Sequence, residues 1–209
     1  MGIESIVSNA VKENSEYLSI AEGIVKDLFD HNDCSDLMDR AKDRKHSART
    51  RELVLQIEPN ASVSLQIAAL AHDIDRTIEA RRVKRASFKD YDKFKKQHAK
   101  ESAKIICERL GDAGFPEALI DRVRYLVEHH EVGGDREANI LKDADSLTFF
   151  EMDIYPYFDA RGLERTKAKI EFSYKRLSPN ARQVVKTFHL KDPKLQEALN
   201  ETIKLNDSN

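Results

Sequence analysis

Apolar residues recur at helical spacing along almost all of this 209-residue chain, and no stretch alternates cleanly between apolar and polar. No Asn-Gly or Asp-Gly pair marks a hairpin. One stripe is Ala21, Ile24, Val25, Leu28 and Phe29; another is His46, Thr50, Leu53, Val54 and Ile57. Pro59-Asn60 breaks the pattern, and a nearly all-apolar helix follows from about Ser62 to Ile74. After a basic, irregular stretch, a helix opening near Asp90 carries Phe94, His98, Ser102, Ile105, Ile106 and Leu110 on one face. Gly111 to Gly114 stops it, and Pro116 suits the start of the next. There Ile120, Val123, Val127 and His130 share a face, ended by Gly133-Gly134. Ile140, Leu141, Ala144, Leu147 and Thr148 begin a further helix, which Pro156 and Gly162 interrupt. The last third reads as two or three amphipathic helices broken near Pro179 and Pro193. The expectation is an all-α fold in a single domain, residues 1–209.

Composition narrows the class. Hydrophobic residues make up 40% and charged residues 34%, so the chain is globular rather than disordered. A net charge of -2 demands neither nucleic acid nor a membrane as partner. The run Arg81-Arg82-Val83-Lys84-Arg85 reads either as a solvated surface or as a clamp for an anionic substrate. Cys34 and Cys107 share no motif, which points to a reducing cytoplasm without disulfides and to Cys107 as a small core residue. No apolar run reaches the ~20 residues that span a bilayer, and no signal peptide is expected at Met1-Gly2-Ile3-Glu4.

The histidines carry the chemistry. His46, His98 and His130 each lie on the apolar stripe of their own helix, and His72 closes the most hydrophobic helix of all. A lone histidine on such a stripe is usually a satisfied core residue. Several together are better explained by a metal, which takes one ring nitrogen while an outer acceptor takes the other. Asp73, next to His72 at the end of an apolar helix, is costly unless paired or metal-bound. Asp145 falls on the stripe with Leu141 and Thr148. Imidazole and carboxylate together suit Mn, Fe, Co, Ni or Zn.

Taken in order, these elements resemble the HD superfamily of metal-dependent phosphohydrolases. Asp43-Arg44-Lys45-His46 followed by Arg49 resembles its first element, and Ala71-His72-Asp73-Ile74 its namesake doublet. Ala144-Asp145-Ser146-Leu147 resembles its terminal Asp element, which favours Asp145 over Asp143. Between them, His98-Ala99-Lys100-Glu101-Ser102-Ala103 and Val127-Glu128-His129-His130-Glu131 resemble segments that bind a second metal in binuclear branches. The resemblance covers roughly residues 20–150, with residues 151–209 as a helical extension. The Gly-Tyr-Pro segment of the cyclic-di-GMP phosphodiesterase branch is absent, since Glu131 leads into Val132-Gly133-Gly134. Ser146 also stands where arginine is common.

The resemblance implies an HD-like helical bundle holding one divalent transition metal, or two, on His46, His72, Asp73 and Asp145, with His98 and one of His129 or His130. It implies hydrolysis of a phosphoester, a nucleotide or another small phosphorylated metabolite. Asp75 is a candidate to orient water or protonate the leaving group, and Arg49 and Arg76 to stabilise phosphate charge. An exposed helix-end residue is the competing reading of Asp75. A di-iron oxygenase and a non-catalytic regulatory module with a structural metal are the alternatives. For the C-terminal third, packing over the site and a homodimer contact both stay open.

Overall fold

The computed structural model describes residues 3–30 and 37–207, with side chains for 14–30 and 41–207. The described residues form helices and no strand, so the chain is all-α as expected. In order these are α1 (Ile3–Asp30), α2 (Leu37–Ile57), α3 (Val63–Ala71), α4 (Tyr91–Asp112), α5 (Glu117–His129), α6 (Arg136–Thr148), α7 (Ile154–Arg176), α8 (Pro179–Lys186) and α9 (Pro193–Asp207). Two 3₁₀ turns, Ile74–Thr77 and Arg85–Ser87, lie between α3 and α4, and a π turn, Phe149–Asp153, joins α6 to α7. No described helix is long and apolar enough to cross a membrane. The chain divides into two compact units, 1–141 and 142–209.

In the first unit α3 is the hub, packed against α1, α2, α4 and α5. Leu65, Ile67, Ala68, Ala69 and Ala71 are completely buried, which accounts for a helix that is apolar on all sides. Each large aliphatic side chain buried there contributes about 1.5–3 kcal/mol. Ser62 starts α3 by accepting the Leu65 N–H at 3.1 Å. The helix ends at His72, and Asp73 leaves helical geometry (φ -112°, ψ 19°). A helix sheathed by its neighbours therefore delivers a His-Asp pair into the interior.

The neighbouring helices follow their stripes. His46, Thr50, Leu53 and Val54 of α2 are buried, while Ile57, at its last residue, is 42% exposed. On α4, capped by Asp90 through the N–H groups of Asp92 and Lys93, the residues His98, Ser102, Ile105, Ile106 and Leu110 are buried. α5 buries Ile120, Val123 and Val127, with His130 following at its C-cap. Gly133, with φ 80°, then turns the chain as its N–H reaches back to the His129 carbonyl at 2.7 Å. Cys107 is a buried free thiol, as expected. Cys34 lies outside the described residues.

The second unit packs α7 against α9 around Phe150, Ile154, Ile170, Tyr174, Leu195 and Leu199. Gly162 (φ 75°, ψ 174°) kinks α7, as its glycine suggested. The helix that begins near Ile140 gives way to the π turn Phe149–Asp153 just before Pro156, which itself lies in the first turn of α7. Ser178 and Pro179 open α8 as N-cap and first residue. Tyr174 donates its hydroxyl to Asp207 at 2.9 Å, closing the end of α9.

Candidate metal centre

Three buried histidines are tied back through the same ring nitrogen. Nδ1 of His72 lies 2.9 Å from the Ala69 carbonyl, and Nδ1 of His130 lies 2.7 Å from the Val127 carbonyl. A carbonyl only accepts, so Nδ1 carries the proton in both rings, and Nε2 of each neutral ring presents a lone pair. Nδ1 of His98 meets Oδ1 of Asp75 at 2.9 Å, which fixes that ring in the same sense. His46, from α2, brings its Nε2 to 3.2 Å from Nε2 of His72.

Asp73 divides its two oxygens. Oδ2 accepts from Arg76 at 2.6 Å and lies 3.7 Å from Nε2 of His72. Oδ1 lies 3.1 Å from Nε2 of His98 and 3.9 Å from Nε2 of His130. Ligand atoms of Asp73, His98 and His130 all lie within 4.8 Å of one another. The His98–Asp73 pair has the distance of a hydrogen bond but not its direction, since Nε2 of His98 makes no aligned bond. Two ligand atoms aimed at a common third point look like this. Adjacent ligands on one ion with bonds of about 2.1 Å sit about 3 Å apart, close to the separations of His98 from Asp73 and of His46 from His72. These His and Asp groups could hold a metal ion.

Electrostatics fit the same picture. Burial pushes the Asp73 carboxyl up, but Arg76, His72 and His98 together outweigh it and hold it well below the usual carboxylate range. Burial disfavours the charged form of His98, yet Asp73 and Asp75 overcome this and raise it to about 10. Burial pushes His130 down to about 4, and the neighbouring His72 and His98 act in the same direction. Without a metal, His98 therefore stays protonated beside Asp73 and Asp75, and His130 stays neutral. A cation bound at this point would take over that proton's role.

The structure sorts the expected residues. His46, His72, Asp73, His98 and His130 come together in the first unit. His129 does not join them. Its Nδ1 meets the Tyr125 carbonyl at 2.7 Å and its ring stacks on Tyr125 at 4.1 Å. Asp75 is not an exposed helix-end residue. It is 1% exposed, accepting from His98 and Ser102 on Oδ1 and from the Val83 N–H, at 3.2 Å, on Oδ2. That makes it a positioning residue for His98. Arg76 is held by Asp73, with Asp43 at 3.7 Å. Arg49 pairs with Glu52 along α2 at 2.8 Å. Asp145 belongs to the second unit, where its carboxylate meets Arg176 at 3.2 Å, while Asp143 accepts the Ser178 N–H at the start of α8. Ser102 was missed as a functional residue, although its i,i+4 spacing from His98 was a usable signal. It both donates to Asp75 Oδ1 and accepts the Asp75 N–H.

Fold and site together define an all-helical protein with a buried His/Asp cluster able to hold a metal ion. The chain belongs to the family described as a domain of unknown function, DUF4202, which matches residues 26–198. Comparisons with curated proteins and with solved structures find no match.

Proposed function

We propose that the protein is a metal-dependent phosphohydrolase, cleaving a phosphoester of a nucleotide or another small phosphorylated metabolite. The observation that carries this reading is the shared orientation of His72, His98 and His130. Each is tied back at Nδ1 and presents Nε2 beside an Asp73 whose two oxygens face different imidazoles. The ordered resemblance to the HD superfamily supports it.

His46, His72 and Asp73 would hold one divalent transition metal, of the Mn, Fe, Co, Ni or Zn group. Asp73, His98 and His130 would hold a second where two are bound. Asp145 is assigned from the sequence, by its place on the stripe of Leu141 and Thr148 and by the resemblance. When bound, such a metal polarises a phosphoryl oxygen and lowers the pKa of a coordinated water towards ~7. The protein's own residues set the stage. Asp75 fixes the His98 ring, and burial keeps bulk water from the imidazoles. Arg76 holds Asp73 and borders an open cleft, where its charge faces an incoming phosphate.

The first test is elemental analysis of protein purified without chelator, beside a His72→Ala, Asp73→Ala variant, followed by a phosphatase screen over nucleotides. Stoichiometric metal that the variant loses, with metal-dependent phosphate release, is the expected result. Metal below stoichiometry and unchanged in the variant overturns it. Four clustered imidazoles, three of them within 4 Å of the Asp73 carboxylate, also suit a pair of irons, and on that reading the protein is an oxygenase. Two irons per chain with oxygen consumption would select it.

A further inference from the structure

We propose that the cleft beside the metal cluster holds a second anionic group, so that the preferred substrate carries two phosphates rather than one. This rests on the phosphohydrolase reading and names its substrate class. The cleft has a volume of about 390 Å³, with Asp75 and His98 at its edge and Phe94 on one wall. Arg76, Arg82, Lys84 and Arg85 also line it. That size is near the lower end for small-molecule sites and fits a metabolite rather than a polymer.

The fold sorts the basic run residue by residue. Arg81 turns to α4, where it bonds Glu101 and Glu108, each at 2.5 Å. Two residues on, the Val83 N–H is bonded to Asp75, the carboxylate that also orients His98. Arg81 and Val83 thus anchor the loop, and Arg82, Lys84 and Arg85 are the residues left on the cleft wall. Asp75 and Glu79 are the acidic residues among those lining the cleft, and the Asp43 carboxyl lies close enough to Arg82 to feel its charge. Asp75 is already engaged by three donors inside the protein. Glu79 pairs with Lys84 at 2.8 Å, with the two side chains 43% and 62% exposed. An exposed pair of that kind is worth about 1 kcal/mol at most, so a phosphate can displace it.

Arg85 bonds the Phe88 carbonyl and lies over the Tyr91 and Phe94 rings, 5.4 and 6.0 Å from their centroids. The rings hold the guanidinium at the cleft. A phosphate, with a charge of about -1.5 to -2 and three acceptor oxygens, matches several convergent cations better than a carboxylate does. One phosphate placed at the metal cluster leaves a second, on the same small molecule, within the basic wall.

The test is calorimetric binding of phenyl phosphate and of fructose 1,6-bisphosphate to metal-loaded protein, wild type beside an Arg82→Gln, Lys84→Gln, Arg85→Gln variant. The bisphosphate is expected to bind about tenfold tighter than the monophosphate to wild type. In the variant that advantage should shrink to about threefold or less, with phenyl phosphate affinity unchanged. Equal affinity of the two ligands for wild type, or an advantage that survives in the variant, overturns the proposal. Should the triple variant fail to fold, Arg82→Gln alone serves, with a smaller loss confined to the bisphosphate. A bisphosphate preference that depends on these residues, in a protein that releases phosphate from neither ligand nor from any nucleotide in the screen, keeps the cleft and refutes the phosphohydrolase reading. Hydrolysis of phenyl phosphate without that preference does the reverse.

Discussion

Asp75→Asn separates a residue that positions a metal ligand from one that merely fills a buried slot. Asp75 is 1% exposed and accepts three hydrogen bonds, from His98 Nδ1 at 2.9 Å, Ser102 Oγ at 3.0 Å and the Val83 N–H at 3.2 Å. Asparagine keeps the shape but has one acceptor oxygen. Its amide group must therefore face either Val83 or the His98–Ser102 pair. Facing Val83 is cheaper, because that contact involves one donor and lies nearer solvent. One donor–donor conflict there costs about 1–3 kcal/mol, and the partial exposure of Val83 argues for the lower half.

The second effect falls on the metal. His98 would then lean on a neutral amide, and loss of such an outer partner lowers metal affinity about 10–100-fold. That corresponds to about 1.4–2.7 kcal/mol. Urea denaturation of metal-free protein reads the first quantity, and competition against a chromophoric chelator reads the second. The expected outcome is a modest loss of stability without metal and a separate loss of metal affinity. Unchanged metal affinity alongside reduced stability would refute the positioning role and leave Asp75 as a structural carboxylate.

Other substitutions probe other parts of the argument. His130→Ala should lower metal content, whereas His129→Ala should leave it at the wild-type level, since His129 packs on Tyr125; elemental analysis of both variants checks this. Leu65→Ala, completely buried in the first turn of α3, should cost about 2–5 kcal/mol in urea denaturation. Asp207 is held below its ordinary 3.8 by the Lys186 ammonium and then by the Tyr174 hydroxyl. A depressed carboxylate stabilises the fold above its unfolded pKa and loses that contribution as pH falls through the folded value. Asp207→Asn should therefore lower the melting temperature at neutral pH, with the difference from wild type vanishing as acidification carries the protein below the lowered pKa of Asp207.

What could be read from the sequence follows from what is local. Helix limits were legible where a cap or a glycine stands at the boundary, as at Ser62, Asp90, Gly114 and Gly133. The clustered histidines were legible because each interrupts or ends an apolar stripe, and the stripe through Ile120, Val123 and Val127 singles out His130. The resemblance, with its paired histidines, left His129 open; the spacing of the stripe points to His130, the one buried in the cluster. Asp75 shows the opposite case. Its partners are Val83, His98 and Ser102, of which two are more than twenty residues away, and no local pattern announces them. The basic run was equally ambiguous, because only Glu101 and Glu108 on α4 reveal that Arg81 anchors the loop.

Burial dictates that a polar group must have a partner, but not which one. Asp73 shows how that demand shapes a site. The sheathed α3 can end only inside the protein, so the residues after it arrive in a medium hostile to charge. The carboxylate is retained there because Arg76 engages one oxygen and His98 approaches the other. Removing either cation should leave Asp73 more dependent on a bound metal, so the cluster's buried charge and its capacity for an ion are two aspects of one electrostatic requirement.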